Sequence, residues 1–206
     1  MPYGCGIQTV AAMKLAEWAE LPEDEPGEFA EGELLEEEVA DFAHELAVVW
    51  ATRAIDTWIA PRGGLVGGSE VKLATAEEHG RKPDVCVFFP GRRPPRRGLV
   101  TLPPDIAVEV LSPSPKDVRR DRVDKLNEYA EFGVRFYWIV DPDARTLEIF
   151  ELTPDKHYTL VVNATGGVVR QVPGCEGLEL DLDALWARLD LLGPPGPASP
   201  ADPAND

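Results

Sequence analysis

The sequence predicts an α/β domain in which helices flank a mixed β-sheet. Residues 36–58 carry apolar side chains at three- and four-residue steps, the periodicity of an amphipathic helix of about six turns. Residues 105–112 and 134–140 are nearly continuous apolar segments, the composition of strands that are buried on both faces. A helix-forming segment separates these two strands, and this alternation of strand and helix is typical of α/β domains.

Turn and capping residues set the bounds of the other elements. Gly32 indicates a turn between two short strands, Ser114 is a plausible N-cap, Gly133 ends the helix before it, and Asp181 caps the last helix. The predicted helices are residues 10–20, 36–58, 114–132 and 183–191. The predicted strands are residues 29–35 (a pair), 69–75, 83–89, 105–112, 134–140, 146–152 and 157–163.

The length of 206 residues suits one domain with additional segments at its ends. We expect an N-terminal extension with a short helix over residues 1–24 and a folded domain over residues 25–192. Residues 193–206 are rich in proline, alanine and polar residues with nothing to bury, so this tail is predicted to be disordered.

Charge is distributed very unevenly along the chain. The net charge of −17 argues, as a bulk property, against a protein that coats nucleic acid or docks on an anionic membrane. Between Glu17 and Glu45, however, there are thirteen acidic residues and no Lys or Arg, so thirteen of the seventeen net charges lie there and −4 remains for the rest. Residues 81–97 and 116–125 are locally basic. The bulk charge therefore leaves room for a local anion-binding site.

The three cysteines, Cys5, Cys86 and Cys175, are scattered and show no zinc-ligand spacing. A reducing compartment is the simpler interpretation. The N-terminal segment lacks the features of a signal peptide, and no apolar run approaches the roughly 20 residues of a membrane helix. We therefore expect a cytoplasmic protein without a membrane partner.

Glu109 is the first candidate for chemistry because it interrupts a predicted buried strand. A carboxylate in that position costs several kcal/mol unless it is paired, protonated or bound to a metal. Its neighbours on the same strand face, Ala107 and Leu111, offer no partner. A structural ion pair with a distant arginine, or a strand face that stays wet, are the alternatives.

Asp84 and Lys125 are the second and third candidates. Asp84 stands at the start of the strand over residues 83–89, and together with Glu109 it would offer two carboxylates to a hard cation such as Mg²⁺ or Mn²⁺. Lys125 lies on the helix after the Glu109 strand, where it could orient a water or neutralise phosphate charge. Alternatively, Lys125 forms a surface helix pair with Asp121, four residues earlier.

These residues lie in segments that resemble the Uma2 family, which is grouped with the PD-(D/E)XK restriction-endonuclease-like superfamily. The similar segments are PDV (83–85), PPDIAVEVLSPS (103–114) and RDRVDKLNEYAEFGVRFYWIVDP (120–142), with a further likeness in LPEDEPGEFAEGELLEE (21–37). The resemblance covers roughly residues 13–190. It implies a restriction-endonuclease-like core.

The resemblance also implies roles for individual residues. Asp84 matches the aspartate of the PD element and Glu109 matches the acid of the (D/E)XK element, while Leu111 stands where the superfamily would have its lysine. Uma2-like sequences carry a lysine on the following helix instead, and Lys125 matches it. In such a nuclease Asp84, Glu109 and the backbone carbonyl of Val110 would hold the metal.

An acid on the first long helix sometimes completes such a site, so Glu37 or Asp41 is a candidate outer ligand. His44 matches the histidine that the family places early in this helix. The alternative for the acids is a solvated helix N-terminus, and for His44 a hydrogen-bonded residue packed near the sheet.

Arginines in the two basic segments are candidate contacts to a nucleic-acid backbone. The alternative is a set of solvated charges that the acidic N-terminal third neutralises. The residues are Arg92, Arg93, Arg96 and Arg97 in the loop GRRPPRRG, and Arg119 and Arg120 before Lys125.

The leading hypothesis is a metal-dependent endonuclease that acts on DNA, with Mg²⁺ or Mn²⁺ as cofactor and a homodimer implied by the resemblance. The alternatives are a catalytically silent member that serves as a nucleic-acid-binding or assembly module, and a glycosidase that uses Asp84 and Glu109 as an acid/base pair. No aromatic sugar platform is apparent, which argues against the glycosidase.

Overall fold

A computed structural model describes residues 13–22, 27–35, 41–114 and 118–194. The helices are α1 (Leu15–Ala19), α2 (Phe42–Ile59), α3 (Lys125–Phe132) and α4 (Leu182–Leu189). A 3₁₀ turn (Ala60–Arg62) follows α2, and a π-helical turn (Arg120–Asp124) leads directly into α3. Across the described ranges, no helix combines the length and apolarity needed to cross a membrane.

Twelve strands are present among the described residues. Their bounds are β1 (Glu28–Ala30), β2 (Glu33–Leu35), β3 (Leu65–Gly68), β4 (Leu73–Ala76), β5 (His79–Arg81), β6 (Val85–Phe88), β7 (Ile106–Val110), β8 (Phe136–Asp141), β9 (Thr146–Leu152), β10 (Tyr158–Ala164), β11 (Val168–Val169) and β12 (Leu180–Asp181).

The main sheet has six strands in the order β10-β9-β8-β7-β6-β3. Strands β7 and β8 are parallel and the other neighbouring pairs are antiparallel, so the sheet is mixed as predicted. The parallel pair needs a crossover, which the π-helical turn and α3 supply. The predicted α/β fold class, a mixed sheet flanked by helices, is confirmed.

A smaller sheet, in the order β2-β1-β5-β4, joins the N-terminal hairpin to the middle of the chain. Strand β1 pairs with β5 at Phe29 and Gly80. A Cβ atom at Gly80 would lie 2.3 Å from the ring of the buried Trp18, so only glycine allows α1 to pack this closely on β5. This packing positions β1, and with it Glu28, against the main domain.

The two faces of the main sheet carry separate cores. Helices α2 and α4 cover one face, where Ile106, Val108 and Val110 of β7 are buried against them. Ala107 and Leu111 face the other way, into the core that contains Tyr129 of α3. Because side chains alternate along a strand, Glu109 points to the α3 face.

Most predicted elements are present within a few residues of their predicted bounds. The helix predicted over residues 36–58 begins at Phe42 because Asp41, in an extended conformation, is its N-cap; residues 36–40 lie outside the described residues. The prediction was wrong between residues 63 and 81. Residues 65–68, for which no strand was predicted, form β3, and the strand predicted over residues 69–75 is shorter and is followed by β5.

Candidate active site

Asp84 directly precedes β6, and the strand register brings it opposite Glu109. Strands β6 and β7 are antiparallel with Val85 paired to Val108, so one further step places Asp84 across from Glu109. Residues in such positions have Cβ atoms about 5 Å apart. The Val110 N–H donates to Asp84 Oδ2 at 2.7 Å, which ties the two strand ends together. The two acids that the sequence singled out are therefore neighbours.

Glu109 is buried, with 2% of its surface exposed, and both of its oxygens have partners. Lys125 Nζ lies 3.0 Å from Oε2, and the Tyr129 hydroxyl donates to Oε1 at 2.8 Å. The partner that the sequence could not supply from the same strand thus comes from α3. The wet strand face and the distant arginine are both excluded as explanations.

Lys125 is buried and lies among three carboxylates. Its Nζ is 3.0 Å from Glu109, 3.1 Å from Asp121 and 3.2 Å from Glu28. The pair with Asp121 exists, but the expectation of a surface pair was wrong, because both side chains are less than 10% exposed. An ammonium group has three N–H donors, so these three acceptors satisfy Lys125 completely.

Glu28 is the site residue that sequence reasoning missed. It is fully buried at the start of β1. Its Oε1 accepts from the Lys82 N–H at 3.0 Å and faces Lys125, while Oε2 lies 3.0 Å from Arg81. Its one sequence signal is a position directly before an apolar strand. That signal is weak inside a segment with thirteen acidic residues.

Arg81, on β5 of the small sheet, contacts the acids of this cluster. Its guanidinium contacts Glu28 and also binds Glu128 at 2.7 and 2.9 Å. Glu128 in turn accepts a hydrogen bond from the Thr75 hydroxyl. The small sheet therefore supplies one acid and one cation that are linked through buried side chains to α3.

The pKa values follow from burial and from the excess of acids. Burial raises the pKa of Glu109 well above its usual range, and nearby Asp121, Asp84 and Glu28 add to this while Lys125 opposes it. Burial also raises the pKa of Asp121. For Glu28, burial is outweighed by Lys125, Arg81 and the Lys82 N–H, so its pKa is lowered. Lys125 has a raised pKa, since its three acids outweigh its burial, and it stays protonated.

His44 connects α2 to Asp84. Its Nε2 lies 3.3 Å from Asp84 Oδ2, and the hydrogen bond and charge of Asp84 raise its pKa against the opposing effect of burial. Asp41 is the N-cap of α2 and accepts the His44 N–H at 2.8 Å, so it acts as a helix cap here. Glu37 lies outside the described residues.

Four of the six arginines predicted to contact nucleic acid are exposed, and the other two are buried or bound to other residues of the chain. Arg93, Arg96, Arg97 and Arg119 are exposed. Arg92 is tied to Asp105 at 3.3 Å and to the Pro103 carbonyl. Arg120 is buried, so it does not offer a surface contact as the sequence suggested. The alternative of a solvated charge therefore holds for neither Arg92 nor Arg120.

The donor set suits a hard divalent cation. Asp84 and Glu109 lie across from each other and provide carboxylate oxygens, the ligands that such a cation prefers. Within the described ranges no group of three or more His, Cys, Asp or Glu side chains is placed to hold a metal ion. A cation here would therefore take its remaining ligands from backbone, water and phosphate oxygens, as Mg²⁺ usually does.

A mixed sheet flanked by helices, with Asp84 and Glu109 at neighbouring strand ends, defines a restriction-endonuclease-like domain. The chain belongs to the Uma2 family, whose model is described as "Putative restriction endonuclease" and matches residues 14–183. The fold is similar to the crystal structure of a "putative nuclease belonging to DUF820" from Anabaena variabilis, with a TM-score of 0.68 and 22% identity over 86% of this chain and 99% of that chain. No curated protein matches the sequence.

Proposed function

We propose that the protein is a metal-dependent endonuclease that hydrolyses DNA phosphodiester bonds. The observation that carries the proposal is the juxtaposition of Asp84 and Glu109 across β6 and β7, with Lys125 at 3.0 Å from Glu109. Two acids and a lysine at one end of a mixed sheet are the groups that such hydrolysis needs. Membership of a family described as restriction endonucleases supports the same activity.

Asp84, Glu109 and the Val110 carbonyl would hold Mg²⁺ or Mn²⁺. When bound, the cation would polarise the scissile phosphate and lower the pKa of an attacking water. Asp84 Oδ2 is already occupied by the Val110 N–H and His44, which leaves Oδ1 for this purpose. Each Glu109 oxygen keeps a second lone pair beside its present partner.

Lys125 would act as a fixed positive charge and not as a proton acceptor. Its raised pKa keeps it protonated, and its three carboxylate contacts hold it in place. Its charge opposes the rise in the Glu109 pKa that burial causes, and so favours the ionised form that a metal ligand requires. To contact a phosphate directly, it would have to release one of its three acids.

The exposed arginines would contact the DNA backbone. Arg119 directly precedes the π-helical turn that leads to Lys125, whereas Arg93, Arg96 and Arg97 lie on the loop that joins β6 to β7, at the end of these strands away from Asp84 and Glu109. Each such contact would make binding salt-dependent without adding sequence specificity. We also propose a homodimer, which would present two sites to the two DNA strands. A cytoplasmic location stays a prediction.

Cleavage of supercoiled and linear DNA with Mg²⁺, Mn²⁺ or EDTA tests the activity. We expect cleavage with either cation and none with EDTA. Asp84→Asn and Glu109→Gln should each lower the rate by at least about 100-fold, the scale on which electrostatic catalytic groups act. Asp143→Asn, which changes an exposed acid in the same way, is the matched control.

The second candidate is a silent member of the family that binds nucleic acid or a partner without cutting. The full occupation of Glu109 by Lys125 and Tyr129 favours this reading, because the pair is already neutral without a cation. A silent member would bind DNA equally well before and after Asp84→Asn, with or without Mg²⁺. Calorimetric titration with Mn²⁺ separates the two, since only a nuclease site binds the cation through Asp84.

A further inference from the structure

A groove on the other face of the main sheet has the groups that bind a nucleotide. It lies between α2, α4 and the segment before β12, and its volume is about 700 Å³. Helix α2 packs on the sheet face opposite Glu109, so this groove is separate from the carboxylate cluster. The side chains that matter line it from two helices and one turn: Trp50, Arg53, Thr57, Trp58, Arg62 and Arg188.

Three of these side chains are arginines, which is unusual on a chain with a net charge of −17. Within the described residues, Arg53 and Arg188 form no ion pair, although other exposed arginines such as Arg145 do. Glu179 is the acid that lines the groove, and it pairs with Arg170 at 3.3 Å. The groove therefore presents two uncompensated positive charges.

The two tryptophans are engaged differently. Trp58 donates its indole N–H to the Glu176 carbonyl at 2.9 Å, carries Arg62 over its ring at 5.0 Å and contacts Phe89 edge-on. Trp50 is half-buried, and in the described part of the chain its ring meets no other aromatic ring or cation and its N–H has no acceptor. Trp58 is thus part of the wall, whereas Trp50 packs partly against the core and lines the groove with the rest of its side chain.

We propose that this groove binds a nucleotide unit, with its phosphate on Arg53 and Arg188 and its base on Trp50. Guanidinium groups recognise phosphate through paired hydrogen bonds, and an aromatic ring stacks on any base. The Thr57 hydroxyl adds a donor on the same wall. An acidic peptide would match the arginines but would leave Trp50 without a partner. The unit can be a free mononucleotide or one residue of a single strand.

This binding is independent of cleavage at Asp84 and Glu109. The groove contains no carboxylate pair and no buried lysine, and it lies behind the sheet. Its role is to hold nucleic acid or nucleotide at a distance from the carboxylate cluster. In this way it supplies local attraction that the overall negative charge would otherwise oppose.

The test uses the full chain with Asp84→Asn, in EDTA, so that neither cleavage nor a bound cation contributes. Fluorescence anisotropy follows fluorescein-labelled dT₁₂, and unlabelled dT₁₂, dTMP, inorganic phosphate and polyglutamate serve as competitors. The variants are Arg53→Gln with Arg188→Gln, and Trp50→Leu. The control is Arg135→Gln with Arg145→Gln, which removes the same charge from other exposed positions.

We expect the Arg53/Arg188 variant to make the slope of log affinity against log salt less negative by about 0.7, the value for one phosphate contact on a single strand, because both arginines contact the same phosphate. Trp50→Leu should weaken dT₁₂ binding about tenfold through lost stacking. Competition by dTMP that exceeds that of inorganic phosphate identifies a mononucleotide site, and competition by the oligomer alone identifies a strand-binding site.

Two results would overturn the proposal. One is an Arg53/Arg188 variant that binds dT₁₂ like the control variant at every salt concentration. The other is displacement by polyglutamate together with unchanged binding by Trp50→Leu, which would make the groove a site for acidic peptide. Neither result bears on cleavage by the unaltered protein, so failure here and failure of the endonuclease assignment are distinguishable.

Discussion

Glu28 Oε1 lies 3.2 Å from Lys125 Nζ, and this contact joins the small sheet to α3. Glu28 lies on β1 of the small sheet, whereas Lys125 lies on α3, which packs on the main sheet, and the two residues are distant in the sequence. Because Glu28 is fully buried and its pKa is lowered, the contact is between two charges. The small sheet is therefore part of the site, and its hairpin helps to fix the lysine that faces Glu109.

Glu28→Gln should lower the free energy of unfolding by roughly 3–5 kcal/mol at pH 7, since it leaves Arg81 and Lys125 buried with less compensation. Chemical denaturation measures the change. The pKa of Glu28 is below its usual 4.5 in the folded chain, so its stabilisation is present above pH 4.5 and is lost as the pH falls through the folded value. The difference between the two proteins should shrink in that acidic range.

Glu33→Gln is the control for this substitution, since Glu33 lies on the same hairpin and is exposed. We expect a change within about 0.5 kcal/mol, as for other surface positions. Equal losses for Glu28→Gln and Glu33→Gln would mean that the buried network does not depend on the Glu28 charge.

Lys125→Met should destabilise the protein most at neutral and alkaline pH. Without the ammonium, Glu109, Asp121 and Glu28 face one another and lose the charge that lowers their pKa values, so all three pKa values rise. An acid with a raised folded-state pKa binds more protons in the folded chain, so stability falls as the pH rises above the unfolded value. Thermal melting between pH 5 and pH 8 should therefore show a steeper decline than in the unaltered protein. A parallel pH dependence would argue against the three contacts.

Tyr129→Phe should leave Glu109 Oε1 buried without its donor, at a cost of roughly 1–3 kcal/mol. Tyr158→Phe is the matched control, because it removes a hydroxyl that donates at 2.7 Å to the Val134 carbonyl, away from the acids. Both should lower the melting temperature. Only Tyr129→Phe should alter the cation concentration needed for half-maximal cleavage, and an equal shift in both would contradict the assigned role.

Asp84→Asn should lower the pKa of His44. Burial lowers that pKa, but the hydrogen bond and the charge of Asp84 outweigh burial and raise it from 6.5. The asparagine amide carries no charge, so the raising effect is weakened. A raised histidine pKa stabilises the folded chain below pH 6.5 and loses this effect as the pH rises through the folded value. Proton NMR titration of the His44 ring resonances in the two proteins measures the shift, and an unchanged titration of His44 would contradict its contact with Asp84.

Much of the fold follows from patterns that local sequence encodes. The apolar segment around Glu109 forms β7, since a strand that is apolar throughout has to bury both faces. The segment with apolar residues at three- and four-residue steps forms α2, since such a helix has to bury one face. The glycine at 133 has a φ of 97°, which explains why α3 ends there. Strand β3 was missed because LVGG has two glycines, and its strand conformation depends on pairing with β6.

The site was predictable where a residue stood out in its local sequence. Glu109 interrupts a buried strand, and Asp84 and Lys125 were candidates from their positions at the start of one strand and on the helix that follows the other. Glu28 does not stand out in its local sequence, because its burial depends on the distant partners Arg81 and Lys125. Long-range pairing of this kind leaves no periodic signal in a short strand.

The π-helical turn over Arg120–Asp124 gives Lys125 its angular position. The Lys125 N–H donates to the Arg120 carbonyl, five residues back, where an α-helix would use the residue four back. Successive residues of an α-helix are rotated by about 100°, so removing one residue from this turn would swing the lysine away from Glu109. The alignment of any related chain to this one therefore has to count residues through the turn before a lysine can be matched to this position.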